Sequence, residues 1–208
     1  MPTPATTSET SNRILDVAER LVQTRGFNAF SYADIAGALH ITKASLHYHF
    51  PTKARLGERL IERYQASFVA VLDHIDITCR DAGAKLRAYV KIYTDVLDRN
   101  RMCLCGMLSA DYATLPKPMK DQVRGFFEAN EAWLVEVLQR GRENKELAFS
   151  GPSLEAARVL IAALEGAMLL ARSHGDPSRL RSAANHLLAD LGATAAKPAR
   201  AAAKRAVG

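Results

Sequence analysis

The sequence is poor in cysteine, with only Cys79, Cys103 and Cys105, and it holds a single tryptophan. An odd, small set of cysteines cannot supply a disulfide framework, so the fold must rest on apolar burial. Long apolar runs are also missing. The longest, Val159 to Ala171, has 13 residues and is broken by Glu165, whereas a bilayer-spanning helix needs roughly 20. No charged-then-apolar segment opens the chain. Met1 to Asn12 is mostly Thr, Ser, Pro and Ala with one acid, which reads as a frayed lead-in. These absences together predict a cytoplasmic protein with no membrane partner.

Common signatures of catalysis are absent as well. There is no phosphate-binding glycine loop, no nucleophile elbow and no paired-histidine metal motif. The cysteine spacing does not match a zinc site. His47 and His49 stand two apart, and on a helix such positions do not face each other. Neither an enzyme, a cofactor nor a metal is expected.

What the chain has is helical periodicity. Ile14, Leu15, Ala18, Leu21 and Val22 share one face of a first helix that Gly26 stops. Ser31 is placed to cap a second, short helix, with Asp34 in its first turn. Thr42 caps a third to about Phe50, and Thr52 a long fourth with a stripe from Leu56 to Ile75. Further helices follow, a Gly-Pro-Ser break with a cap stands at 151–153, and a last helix covers 178–191. The fold class is all-α. The expected organisation is a lead-in at 1–10, a helix-turn-helix domain at 11–56, a larger helical ligand-binding and dimerisation domain at 57–192, and a tail at 193–208.

Charge is unevenly spread. The chain carries +6, of which the acid-free tail, through Lys197, Arg200, Lys204 and Arg205, holds +4. Such a tail cannot bury a core and is expected to be disordered, either as an inert solubiliser or as a basic arm for DNA.

The stretch at 154–174 is apolar nearly all round, with Ala162, Ala163, Gly166 and Ala167 permitting close approach. A helix of this kind is buried on both sides, in a large core or between subunits. The modest length of this part of the chain favours a homodimer, with Leu160, Leu164, Gly166, Ala167 and Leu187 at its interface.

The segment SYADIAGALHITKASLHYHFPTK, from Ser31 to Lys53, carries the functional reading. Leu46 and Phe50 turn inward with Ile35, Ala36 and Leu39. The opposite face of the third helix then presents Lys43, Ala44, His47 and Tyr48. That donor-rich face, with a small residue for close approach, suits the major groove of double-stranded DNA. Thr42, Ser45 and His49 flank it as phosphate contacts, and Ser31 is counted with the DNA-facing set. Lys53 is placed to meet phosphate at the start of the fourth helix.

Residues 13 to 56, with GFNAFSYADIAGALHITKASLHYHFPTKARL, resemble the N-terminal domain of TetR-family repressors. The resemblance implies an all-helical homodimer on a palindromic operator, with a C-terminal domain that binds a small-molecule effector. Two positions depart from the family pattern. His40 stands where glycine is usual in the turn, and a left-handed conformation is tolerable for His. His47 replaces a tyrosine that contacts the DNA backbone.

A second, shorter likeness lies in RMCLCGMLSADYATLP at 101–116, similar to the electrophile- and acrylate-responsive members of that family. Cys103 takes the matching position and Cys105 is extra. A thiolate near a helix start, beside Arg99 and Arg101, is expected to have a lowered pKa and to react selectively. Buried cysteines also serve as small hydrophobes, and that reading stays open. The alternative effector is a reversible apolar or aromatic ligand, with Tyr89, Tyr93, Met107, Tyr112, Phe127 and Trp133 as candidate walls.

Overall fold

The computed structural model describes residues 7–193. Among them, secondary structure is helical throughout. Helix α1 spans Thr7–Arg25, α2 Tyr32–Leu39, α3 Lys43–His49 and α4 Lys53–Thr78. The remainder comprises α5 (Ala82–Asp98), α6 (Leu104–Ala110), a 3-10 turn (Tyr112–Thr114), α7 (Lys117–Glu143), α8 (Ser153–His174) and α9 (Ser178–Asp190). The lead-in is shorter than its composition suggested, because α1 begins at Thr7. All but the first residue of the basic tail lies outside the described residues.

Local chemistry sets the helix boundaries near the N-terminal end. The Asp34 carboxylate accepts from Ser31 N–H and Ser31 Oγ, both at 2.7 Å, and so closes the start of α2. His40 ends that helix in the left-handed region, with φ 54° and ψ 43°. Thr42 Oγ1 accepts from Ser45 N–H at 3.1 Å, and Thr52 Oγ1 from Arg55 N–H at 3.1 Å. Ser153 does not cap: it lies buried in the first turn of α8 with its hydroxyl unpaired.

The buried residues form one continuous core whose two lobes meet along α1 and α4. Ile14, Ala18 and Val22 pack with Ile35, Leu46, Phe50 and Leu56 under the helix-turn-helix. The larger lobe lies among α4, α5, α7 and α8, where Phe68, Tyr89 and Phe126 interlock at ring-centroid distances of 5.1 to 6.3 Å. Helix α8 packs against α7 and α9.

Lys53 has a structural duty that its sequence position did not reveal. Its ammonium donates to the carbonyls of Phe27 (2.6 Å) and Phe30 (2.5 Å) and sits over both rings. The charge is therefore turned into the protein rather than held out for phosphate, and burial lowers its pKa despite nearby Asp111 and Asp34. Replacing it with methionine keeps the stem and removes the donors. Charge-assisted bonds of this type contribute about 2 kcal/mol, so Lys53→Met is expected to lower the thermal midpoint by about 4–8 °C. An unchanged midpoint with a DNA salt slope reduced by about 1 would instead return Lys53 to phosphate binding.

Candidate DNA interface and effector site

The candidate DNA-binding surface follows from how α3 is anchored. Leu46 is fully buried and Phe50 nearly so, which fixes the rotation of this short helix. Lys43, Ala44, His47 and Tyr48 are consequently exposed, Tyr48 to 76%. Ser45 and His49 are half-buried at the edge of that face. Tyr32 braces the arrangement by donating its hydroxyl to Phe50 O at 2.8 Å. Burial pushes its pKa up to about 12, which keeps the donor protonated.

The flanking side chains are partly committed. Thr42 caps α3 through an oxygen lone pair, leaving its O–H free to donate. Ser31 spends its hydroxyl proton on Asp34, so its side chain is a helix cap rather than a phosphate donor. His47 directs Nδ1 at Pro51 O, 3.2 Å away, with its ring 4.8 Å from that of Tyr32. The carbonyl can only accept, so Nδ1 carries the proton. Donation to phosphate through Nε2 then requires the imidazolium form.

The second site is a polar cluster inside the larger lobe. Tyr89, Tyr93, Cys103 and Cys105 come together there, all buried. Tyr89 donates to Asn130 Oδ1 at 3.1 Å, and its oxygen lies 3.1 Å from that of Tyr93. Tyr64 Oη points at Cys103 Sγ from 3.9 Å. Trp133 stacks on Tyr89 at 5.6 Å and donates to Asp76 at 2.8 Å. Of the other candidates, Met107 is half-buried at the α1 junction and Tyr112 is exposed beneath Lys120. Phe127 packs against Phe126, and none of these three walls the cavity beside Cys103. That cavity is about 10 Å³, lined by Tyr64, Tyr93, Val96, Cys103 and Met168 among others.

The sign of the cysteine shift is the reverse of the expectation. Cys103 does sit at the start of α6, its sulfur accepting from Gly106 N–H at 3.4 Å. Yet burial pushes both thiols well up, and the Glu165 carboxyl beside them adds to the effect. Enclosure outweighs one weak amide contact. Glu165 is likewise raised, to about 7, by burial, partly offset by the Cys103 thiol. Its Oε1 is enclosed without a hydrogen-bond partner. Gly106 makes room for it, since a Cβ there would collide with the carboxyl.

The short helix α6 joins the two sites. At its far end, Asp111 Oδ2 accepts from Phe27 N–H at 2.7 Å and Asn28 N–H at 3.3 Å, and Oδ1 accepts from Asn28 Nδ2 at 3.1 Å. Gly26, at φ +92°, permits this approach, because a Cβ would stand 3.1 Å from the carboxylate. Met102 N–H donates to Gln23 O at 3.1 Å, and Arg172 donates to Gln23 O and Thr24 O.

The surface of α8 requires a correction. Leu160, Leu164 and Ala167 are buried in the chain's own core, so they do not form an outer face. The helix is not enclosed on both sides by one chain: Val159 (57%), Leu169 (55%) and Leu170 (58%) stand exposed. Exposed Ala162 and half-buried Gly166, with open space above it, complete that face, and half-buried Leu187 of α9 borders it.

Glu165, Tyr64, Asn130, Asp111 and Arg172 escaped the sequence reading. Only Glu165 had left a mark, as the sole charge in the longest apolar run. Among the described residues, no group of three or more His, Cys, Asp or Glu is arranged to hold a metal, and no helix is long and apolar enough to cross a membrane.

Comparison with known proteins agrees with this geometry. Residues 14–60 match the profile of bacterial regulatory proteins of the tetR family, and residues 82–187 match the tetracyclin repressor-like C-terminal domain. A TetR transcriptional regulator from Legionella pneumophila is 35% identical, with TM-score 0.78 over 91% of this chain and 100% of that one. A TetR-family regulator from Agrobacterium tumefaciens is 31% identical, with TM-score 0.87 over 89% and 99%. The transcriptional repressor NemR of Escherichia coli is 26% identical over 88% of this chain and 94% of its own; its reduced form has been solved, with TM-score 0.74 over 86% of this chain and 95% of that one. The chain belongs to the TetR family of bacterial regulatory proteins, which are DNA-binding transcriptional regulators and not enzymes.

Proposed function

We propose that this chain is a transcriptional repressor that grips a palindromic operator as a homodimer and lets go when a small electrophile acts at Cys103. The observation that carries the DNA part is the exposed quartet Lys43, Ala44, His47 and Tyr48 on a helix locked by Leu46. A two-fold pair of such helices reads inverted half-sites. The apolar outer face of α8, with Val159, Ala162, Gly166, Leu169 and Leu170, is the surface for the second copy. A regulator of this kind works in the cytoplasm, where its DNA is.

One feature favours a small electrophile over a larger reversible ligand: the cavity beside Cys103 has about the volume that one water needs. Helix α6 carries the signal: Cys103 caps one end, and Asp111 holds the 27–28 loop at the other. A displaced α6 shifts that loop, and with it the separation of the paired recognition helices.

Two measurements test this. Combining Lys43→Ala with His47→Ala should weaken operator binding by about 100-fold while lowering the thermal midpoint by only about 2–4 °C, the loss expected from the His47–Pro51 bond and the ring contact with Tyr32. Retained affinity would move the interface elsewhere. Asp111→Ala should leave Cys103 labelling by a thiol reagent unchanged while reducing reagent-driven DNA release several-fold. Full release in that variant would exclude the α6 route.

A further inference from the structure

We propose that Glu165 is the proton acceptor that arms Cys103 for addition to small α,β-unsaturated carbonyl compounds. The inference rests on the reading of Cys103 as the effector site and adds a second residue to it. Three features lead to it. The Glu165 carboxyl lies beside the Cys103 thiol, and its Oε1 is enclosed with no hydrogen-bond partner. Leaving a polar atom unpaired in a core is costly, and such atoms call for an explanation. Gly106 keeps open the space the carboxyl occupies, within the turn that Cys103 caps. Cys103 itself lines the one-water cavity.

The chemistry needs such a partner. An enclosed thiol does not ionise readily, and a thiol is a far weaker nucleophile than its thiolate. A carboxylate at hand can take the proton as the sulfur attacks. The groups facing Glu165 are Cys103 and Cys105 from α6 and Tyr89 and Tyr93 from α5, while Tyr64 of α4 faces the sulfur. None of these is a cation. Deprotonation of Glu165 near pH 7 matches the working range of a general base.

The step balances without an oxidant. The Cys103 S–H proton passes to the Glu165 carboxylate, and sulfur bonds to the β-carbon. The C=C π pair moves to the α-carbon as an enolate. The proton then transfers from Glu165 to that carbon, leaving a saturated thioether and a free carboxylate. Tyr64 Oη, aimed at Sγ, supports negative charge on sulfur in passing. The adduct adds atoms where the core has no room, which displaces α6.

The test is the rate of Cys103 alkylation by methyl vinyl ketone in the full-length protein. Intact mass gives the rate, and fragmentation separates Cys103 from Cys105. Wild type, Glu165→Gln, Gly106→Ala and Cys103→Ser are compared from pH 5.5 to 9. In wild type, a carboxylate base makes the rate rise through about pH 7 and fall away below it, where Glu165 is protonated. In Glu165→Gln the rate at pH 7.5 should drop by about 100-fold, with its rise moved to higher pH. Gly106→Ala, which displaces the carboxyl and leaves it in the chain, should show the same loss. A Glu165→Gln protein with wild-type rate and profile overturns the proposal while Cys103 remains the effector site. Alkylation at Cys79 with none at Cys103 in any protein overturns both.

Discussion

The loop at 26–31 is the constraint on which the rest depends. It is gripped from two directions. Lys53, at the start of α4, donates to the carbonyls of Phe27 and Phe30. Asp111, at the end of α6, accepts from the amides of Phe27 and Asn28. Donors are thus met by a carboxylate and acceptors by an ammonium, on the same few residues. The loop leads directly into α2 and so into α3. Helix α3 accordingly takes its orientation from the loop's contacts with both α4 and α6.

This arrangement ties the surroundings of Cys103 to the loop that leads into α2 and α3. Helix α6 has seven residues, too short to bend and absorb a displacement. One end is set by a buried sulfur and the other by the Asp111 carboxylate. Arg172 of α8 fastens the same region by donating to Gln23 and Thr24. Close-packed interiors transmit small shifts instead of dissipating them. The polar groups around Cys103 are costly inside an otherwise apolar core.

Most of the fold was legible in the sequence because it rests on local rules. Helix order, the caps at Thr42 and Thr52, the left-handed turn at His40 and the inward set of Leu46 and Phe50 all follow from residues a few positions apart. The residues that were misjudged depend on distant partners. Lys53 looked like a phosphate ligand until the Phe27 and Phe30 carbonyls, 26 and 23 residues away, came to meet it. The cysteines had two readings, activated thiols at a helix start or small buried hydrophobes; the expected lowering of the thiol pKa failed because enclosure was not visible in the sequence. For α8 the period was read correctly as apolar, yet Leu160 and Leu164 belong to the inner face and Val159, Leu169 and Leu170 to the outer. Asp111 gave no local sign at all, as its partners lie 83 and 84 residues back.

The most direct test of the central claim is a selection of operator sequences by the purified full-length chain from a pool of random DNA duplexes, read by sequencing, with each enriched site then titrated before and after alkylation. The account expects two inverted half-sites, bound by a dimer and released once Cys103 is modified. An asymmetric single site, or no enrichment at all, would contradict it.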